Sequence, residues 1–153
     1  MTVAEVVEKY KNLAGNYYSH IDHEEIAQCV VEDFKKAFAK KRIFLYGAGC
    51  VGRDFISLFH EMHISVEYVV DKNWDKIGEY KGVVVKDPQI LKMEDTGENS
   101  LLIVACDRKI MPEIVNDLGK MNVHFPHIVC GHDIHILLQS SWCMIKAEKD
   151  GKI

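Results

Sequence analysis

The chain has 153 residues, 48% apolar and 27% charged, an ordinary balance for a globular protein and enough length to bury one core. A formal net charge of −4 and the lack of a dominant basic stripe argue against a nucleic-acid partner; the densest basic run, Lys35-Lys36 with Lys40-Lys41-Arg42, reads as a solvated helix end. No apolar run nears the ~20 residues that span a bilayer, and the acidic start "MTVAEVVEKY" is unlike a signal peptide, so the expectation is a cytoplasmic chain with no membrane partner.

Residues 3–14 and 22–41 read as two helices, the second with Ile26, Val30, Phe34 and Ala37-Phe38 at helical spacing and Asp22 as its cap. The loop between them, "GNYYSHID", has Gly15 as a breaker and Tyr17-Tyr18 as an anchor. "RIFLY" is a continuous apolar run, as a strand buried on both faces should be. "FLYGAGCVGRDF" turns that strand into a helix carrying Phe55, Leu58, Phe59 and Met62 on one face. "SVEYVVD" is the second strand, "KNWDKIGEYKG" a loop, and "VVV" (83–85) the third strand. Pro88 opens a short helix, "PQILKM". "LLIVAC" is the most apolar strand, and "RKIMPEIVNDLGKM" is a helix with Pro112 in its first turn and Gly119 near its end. "VHFPHIVC" is extended. The tail after it opens as a helix and ends in polar residues expected to fray.

Strands alternating with helices from 42 to 130 predict an α/β fold: a parallel sheet of about five strands with right-handed crossovers, preceded by an N-terminal helical pair. The domain reading is a helical extension over 1–41 and a nucleotide-binding domain over 42–153, forming one compact unit.

Gly47, Gly49 and Gly52 stand at the G-x-G-x-x-G spacing of a dinucleotide-binding loop, between a strand and a helix. Gly47 would make the tight turn, Gly49 would admit a pyrophosphate, and Gly52 would let the helix pack close. The N–H groups of Ala48, Cys50 and Val51 complete that cradle. Asp71 ends the next strand at the distance of a ribose-binding acid, which favours NAD over NADP; the competing role is a strand-terminal turn former. Lys72 blurs the preference, because it could attract a 2′-phosphate. Arg53 opposes the dipole of its helix unless an anion is nearby, and Asp54 would repel a phosphate. Cys50 is either a small filler or a thiol activated at a helix start. Cys106 and Asp107, after the fourth strand, are expected in the same crevice, with a helix cap as the other role for Asp107. Trp74 either covers an adenine or sugar or anchors its loop.

The stretches "IFLYGAGCVGRDF", "VEYVVDKNWDKIGEYKGVVVKDPQIL" and "LLIVAC", over roughly residues 42–106, resemble small Rossmann-like NAD(P)-binding-type modules of sugar-modifying enzymes. These are domains of nucleoside-diphosphate-sugar epimerases and the nucleotide-sugar-binding N-terminal domain of sugar acetyltransferases. The resemblance implies that Gly47, Gly49 and Gly52 face phosphates and Asp71 a ribose. It stops there: the chain has no hexapeptide repeat, and no Tyr-x-x-x-Lys pair follows the fourth strand.

The five cysteines are odd in number and form no C-x-x-C, which argues for reduced thiols. The eight histidines fall in four H-x-x-H pairs, His20/His23, His60/His63, His124/His127 and His132/His135. The last two bracket Cys130, but i and i+3 side chains face opposite ways on a strand, so Cys130, His132 and His135 are not expected to hold a metal. His60/His63 share a helix face but supply only two nitrogens, and no metal site is expected. Acidic pairs such as Glu94-Asp95 read as surface. The leading reading is a protein that binds a small-molecule nucleotide, NAD(H) first, with homo-oligomerisation through the N-terminal helices. A UDP-sugar module and a structural or regulatory module without ligand stay open beside it. No acid, base or nucleophile declares a reaction; an enzyme here would be an NAD-dependent oxidoreductase or epimerase-like.

Overall fold

Six strands form one sheet in the order β3-β4-β2-β1-β5-β6. In this computed structural model the described residues are 1–14, 24–94 and 97–149. The strands are β1 (Arg42–Tyr46), β2 (Tyr68–Val70), β3 (Glu79–Tyr80), β4 (Val83–Lys86), β5 (Ser100–Val104) and β6 (His127–Cys130). All pairs are parallel except β3 with β4. Leaving out the short antiparallel β3, the order is third, second, first, fourth, fifth. That is the doubly wound Rossmann arrangement, with its switch point between β1 and β5.

The helices are α1 (Val3–Ala14), α2 (Glu24–Phe38), α3 (Cys50–Met62), α4 (Trp74–Ile77), α5 (Met111–Lys120) and α6 (Gly131–Lys149), with a 3-10 helix at Pro88–Met93. The chain divides into two compact units, Met1–Ala39 with Asp133–Ile153, and Lys40–His132. In the first, α1 and α2 are joined by the Asp33 carboxylate, which accepts from Lys9 Nζ at 3.0 Å and Tyr10 Oη at 2.6 Å. Lys35 lies over the Trp142 ring.

The second unit holds the whole sheet. Phe44, Tyr46, Val70, Leu102 and Val104 point to one face and pack with Ile114 and Leu118 of α5 and with Leu91. The alternate residues Ile43, Leu45, Val69, Leu101 and Ile103 are equally buried on the other face. The connection from β1 to β2 and that from β5 to β6 run in opposite directions along the sheet. Right-handed crossovers therefore put α3 and α5 on opposite faces. Truncating a centre such as Phe44 to alanine would cost roughly 3–5 kcal/mol.

Several elements differ from the expectation. "KNWDKIGEYKG" is more than a loop: it holds α4 and the edge strand β3. Lys81 and Gly82 both have positive φ, 49° and 82°, which makes the tight two-residue turn that folds β3 back on β4. The fifth extended segment pairs only over β6, so His124 lies outside it. Helix α2 stops at Phe38, short of 41. His63 ends α3 in the left-handed conformation, φ 59°, so it does not continue the helix face of His60. The tail is one helix to Lys149. Gly15, Tyr17, Tyr18, the His20/His23 pair, Asp22, Asp95 and residues 150–153 lie outside the described residues.

Candidate functional site

The register sets the site. Tyr46, the last residue of β1, stands opposite Val70 on one side and Val104 on the other. The three central strands thus end level, and the segments starting at Gly47, Asp71 and Ala105 leave the sheet together. Two further hydrogen bonds extend the ladder: Gly47 N–H donates to Val70 O and Ala105 N–H to Tyr46 O, both at 2.8 Å.

The three glycines are held to their identity by different causes. Gly47 has φ +114°, and a Cβ there would lie 2.9 Å from Ala105 O and from Cys106 Sγ. A Cβ on Gly52 would lie 2.0 Å from Gly47 O, inside any van der Waals contact, so α3 can leave the loop only over a bare Cα. Gly49 is otherwise. Its φ is −80°, open to any residue, and a Cβ there would meet nothing within 4 Å. It caps α3 and, being glycine, supplies no side-chain acceptor to the first-turn N–H groups. By contrast, Asp87 caps the 3-10 helix by accepting from Gln89 N–H.

Asp71 closes the crevice from the β2 side. Its Oδ2 accepts from Ala48 N–H at 2.8 Å and its Oδ1 from Asn73 N–H at 2.8 Å. The second bond is the turn-forming role. The first ties the acid to the glycine loop. Each carboxylate oxygen keeps a further lone pair, so both bonds leave acceptor capacity for hydroxyl groups.

Cys106 enters from the β5 side. Its thiol points to Tyr46 O at 3.8 Å, and burial, then the charge of Asp71, push its pKa up. The Tyr46 phenol is also pushed up, first by burial. Asp107 is exposed and its carboxylate accepts from Lys109 N–H at 3.0 Å. It is not the cap of α5, which starts at Met111 after Ile110. Lys72 is engaged: its Nζ lies 2.8 Å from Asp117 Oδ2 and 3.9 Å from Glu113 Oε1 on α5. Asp117 raises the Lys72 pKa and is itself lowered by Lys72. Cys50 and Val51 open α3, Cys50 exposed. Trp74, three residues after Asp71, has 40% of its surface exposed.

Sequence reasoning did not single out Tyr46, Glu113 or Asp117. The first hid in a core-like run. The two acids share a helix face at i, i+4 spacing, but nothing local names Lys72 as their partner. Among the described residues, no three His, Cys, Asp or Glu side chains are placed to hold a metal ion.

Fold and loop define a Rossmann-like α/β chain. No family model matches it and no curated protein matches it, so the resemblance to epimerases and acetyltransferases has no sequence match behind it. Among solved structures, a Rex-family repressor is similar at TM-score 0.46 and 15% identity, over 99% of this chain and 79% of that one. A repressor among the similar structures contradicts the expectation that nucleic acid is excluded as a partner, and that exclusion is withdrawn. It rested on the net charge of −4 and on the lack of a basic stripe along the sequence, and neither reports cations that the fold brings together from separate segments. No helix among the described residues is long and apolar enough to cross a membrane.

Proposed function

We propose that the chain binds a dinucleotide, NAD(H) first, over the loop Gly47–Gly52. Gly49 carries this reading. Packing explains Gly47 and Gly52, but no contact among the described residues excludes a side chain at 49. A ligand pyrophosphate approaching the backbone would require a glycine there. The start of α3, with glycine as its cap, suits the phosphates, and Gly47, Ala48, Cys50, Val51 and Gly52 would line them. Asp71, with lone pairs to spare, would take the adenosine ribose hydroxyls. Cys106 would line the opposite wall, and Asp107 the exposed rim.

The chemistry a bound NAD supplies is hydride transfer. The chain's own part in this reading is binding and orientation.

A thermal-shift panel with NAD⁺, NADH, NADP⁺, UDP-sugars and coenzyme A tests the reading, because a ligand that binds only the native state raises the melting temperature. NAD⁺ or NADH should raise it, and Gly49→Val should abolish the rise without lowering the unliganded melting temperature. A shift from UDP-sugars alone would transfer the crevice to a nucleotide-sugar. No shift from any of them at millimolar concentration would sink the proposal.

A further inference from the structure

A second cluster lies outside the glycine loop. Arg53 and Ser57 stand one turn apart on α3, and Tyr80 and Lys81 lie at the end of β3 and in the turn after it. Lys81 Nζ donates to Ser57 Oγ at 2.9 Å, and Ser57 Oγ lies 3.5 Å from Tyr80 Oη. The Arg53 guanidinium sits 5.4 Å and the Lys81 ammonium 5.6 Å from the centre of the same Tyr80 ring. Among the described residues, neither cation forms an ion pair with a carboxylate.

This arrangement is costly unless something negative joins it. Two like charges are gathered on one ring in a chain whose net charge is −4. Arg53 opposes the dipole of its own helix. Lys81 holds a left-handed backbone, φ 49°, at a turn position that asparagine, aspartate or glycine fills with less strain. Ring packing alone would need only one cation. What the cluster offers is four donor groups with no carboxylate ion-paired to its cations among the described residues: a guanidinium fork, an ammonium with protons beyond the one given to Ser57, and two hydroxyls. That set matches a tetrahedral oxyanion.

We propose that Arg53, Ser57, Tyr80 and Lys81 form a binding site for a phosphate monoester. The site uses none of the loop residues, so it stands or falls separately from the dinucleotide reading.

The test is a ¹H–¹⁵N NMR titration of the whole chain with inorganic phosphate, against sodium chloride at equal ionic strength. Phosphate should shift the amide signals of Arg53, Ser57, Tyr80 and Lys81 with saturation in the millimolar range, and chloride should not. Arg53→Gln should weaken phosphate binding roughly tenfold, the loss of a charge-assisted contact. Lys81→Asn should weaken it comparably while raising the melting temperature, because asparagine relieves the turn. Gly49→Val should leave it unchanged. Two arms then separate the sources of the phosphate. If Arg53→Gln lowers NADP⁺ affinity and spares NAD⁺, the group belongs to the ribose of a bound nucleotide. If NADP⁺ affinity is unchanged, it belongs to a separate small ligand. A linear response, an equal response to chloride, or undiminished binding in the Arg53→Gln/Lys81→Gln double variant overturns the site.

Discussion

Asp71 Oδ2 accepts a hydrogen bond from the Ala48 N–H at 2.8 Å, joining the acid that ends β2 to the turn that follows β1. One carboxylate thereby shapes the glycine loop and faces the crevice beside it. Asp71→Asn should separate the two roles. An amide has a single oxygen, so it can serve Asn73 N–H or Ala48 N–H but not both. Stability to urea should fall by about 1–2 kcal/mol, the cost of a part-buried N–H losing a charged acceptor. NAD(H) affinity, read by calorimetry, should fall further than that loss accounts for. Equal falls would reduce Asp71 to a loop brace.

The glycines should respond in opposite ways. Gly52→Ala brings a Cβ within 2.0 Å of Gly47 O, backbone that cannot swing aside. Its cost should exceed about 4 kcal/mol, leaving little folded protein by circular dichroism. Gly47→Ala adds a strained φ to contacts at 2.9 Å and should come close behind. Gly49→Ala should stay within roughly 0.5 kcal/mol of the parent, the range of a surface change. A destabilised Gly49→Ala would mean that the fold itself uses that glycine, and the case for a ligand there would weaken.

How much of this was legible depends on the range of each signal. "RIFLY" and the glycine spacing are local patterns, so strand, loop and helix could be read in order, and Asp71 could be placed by counting. Its bond to Ala48 could not, because it depends on Gly47 pairing with Val70 across the sheet. β3 was missed for a related reason. A two-residue strand exists only beside β4, and a lysine with positive φ defies the rule that assigns such turns to glycine or asparagine. The pairing of Lys72 with Asp117 is not legible in the sequence, because the two lie far apart along the chain. Tyr46 looked like any core aromatic until the register put it level with the loops.

Alkaline pH should weaken the fold through Cys106. Its thiol is pushed up, so the folded state holds the proton more tightly than the unfolded chain does. The stabilisation is complete below the unfolded thiol value of roughly 8.5 and is lost as pH rises through the folded value. Tyr46, also raised, extends the loss further up the scale. Urea midpoints measured across the alkaline range should decline, and the onset should move upward in Cys106→Ala. Alkylation with iodoacetamide should reach exposed Cys29, Cys50 and Cys143 before Cys106. A Cys106 that reacts first would contradict its half-buried place beside Gly47.

Lys72 offers the sharpest test of cofactor preference. It directly follows Asp71, the acid proposed for the ribose, where a free ammonium would attract a 2′-phosphate, but Asp117 and Glu113 draw it toward α5. That pairing is a surface one, Lys72 side chain 55% exposed, so the restraint is weak. Asp117→Asn should release the lysine at almost no cost to the fold. The ratio of NADP⁺ to NAD⁺ affinity should then rise by roughly two- to fivefold, the scale of one exposed ion pair. The gain should shrink in added salt, since screening weakens an exposed attraction. Lys72→Ala in the same background should cancel it. If the ratio rises equally without Lys72, the acids on α5 repel the 2′-phosphate directly and the lysine has no part in the choice.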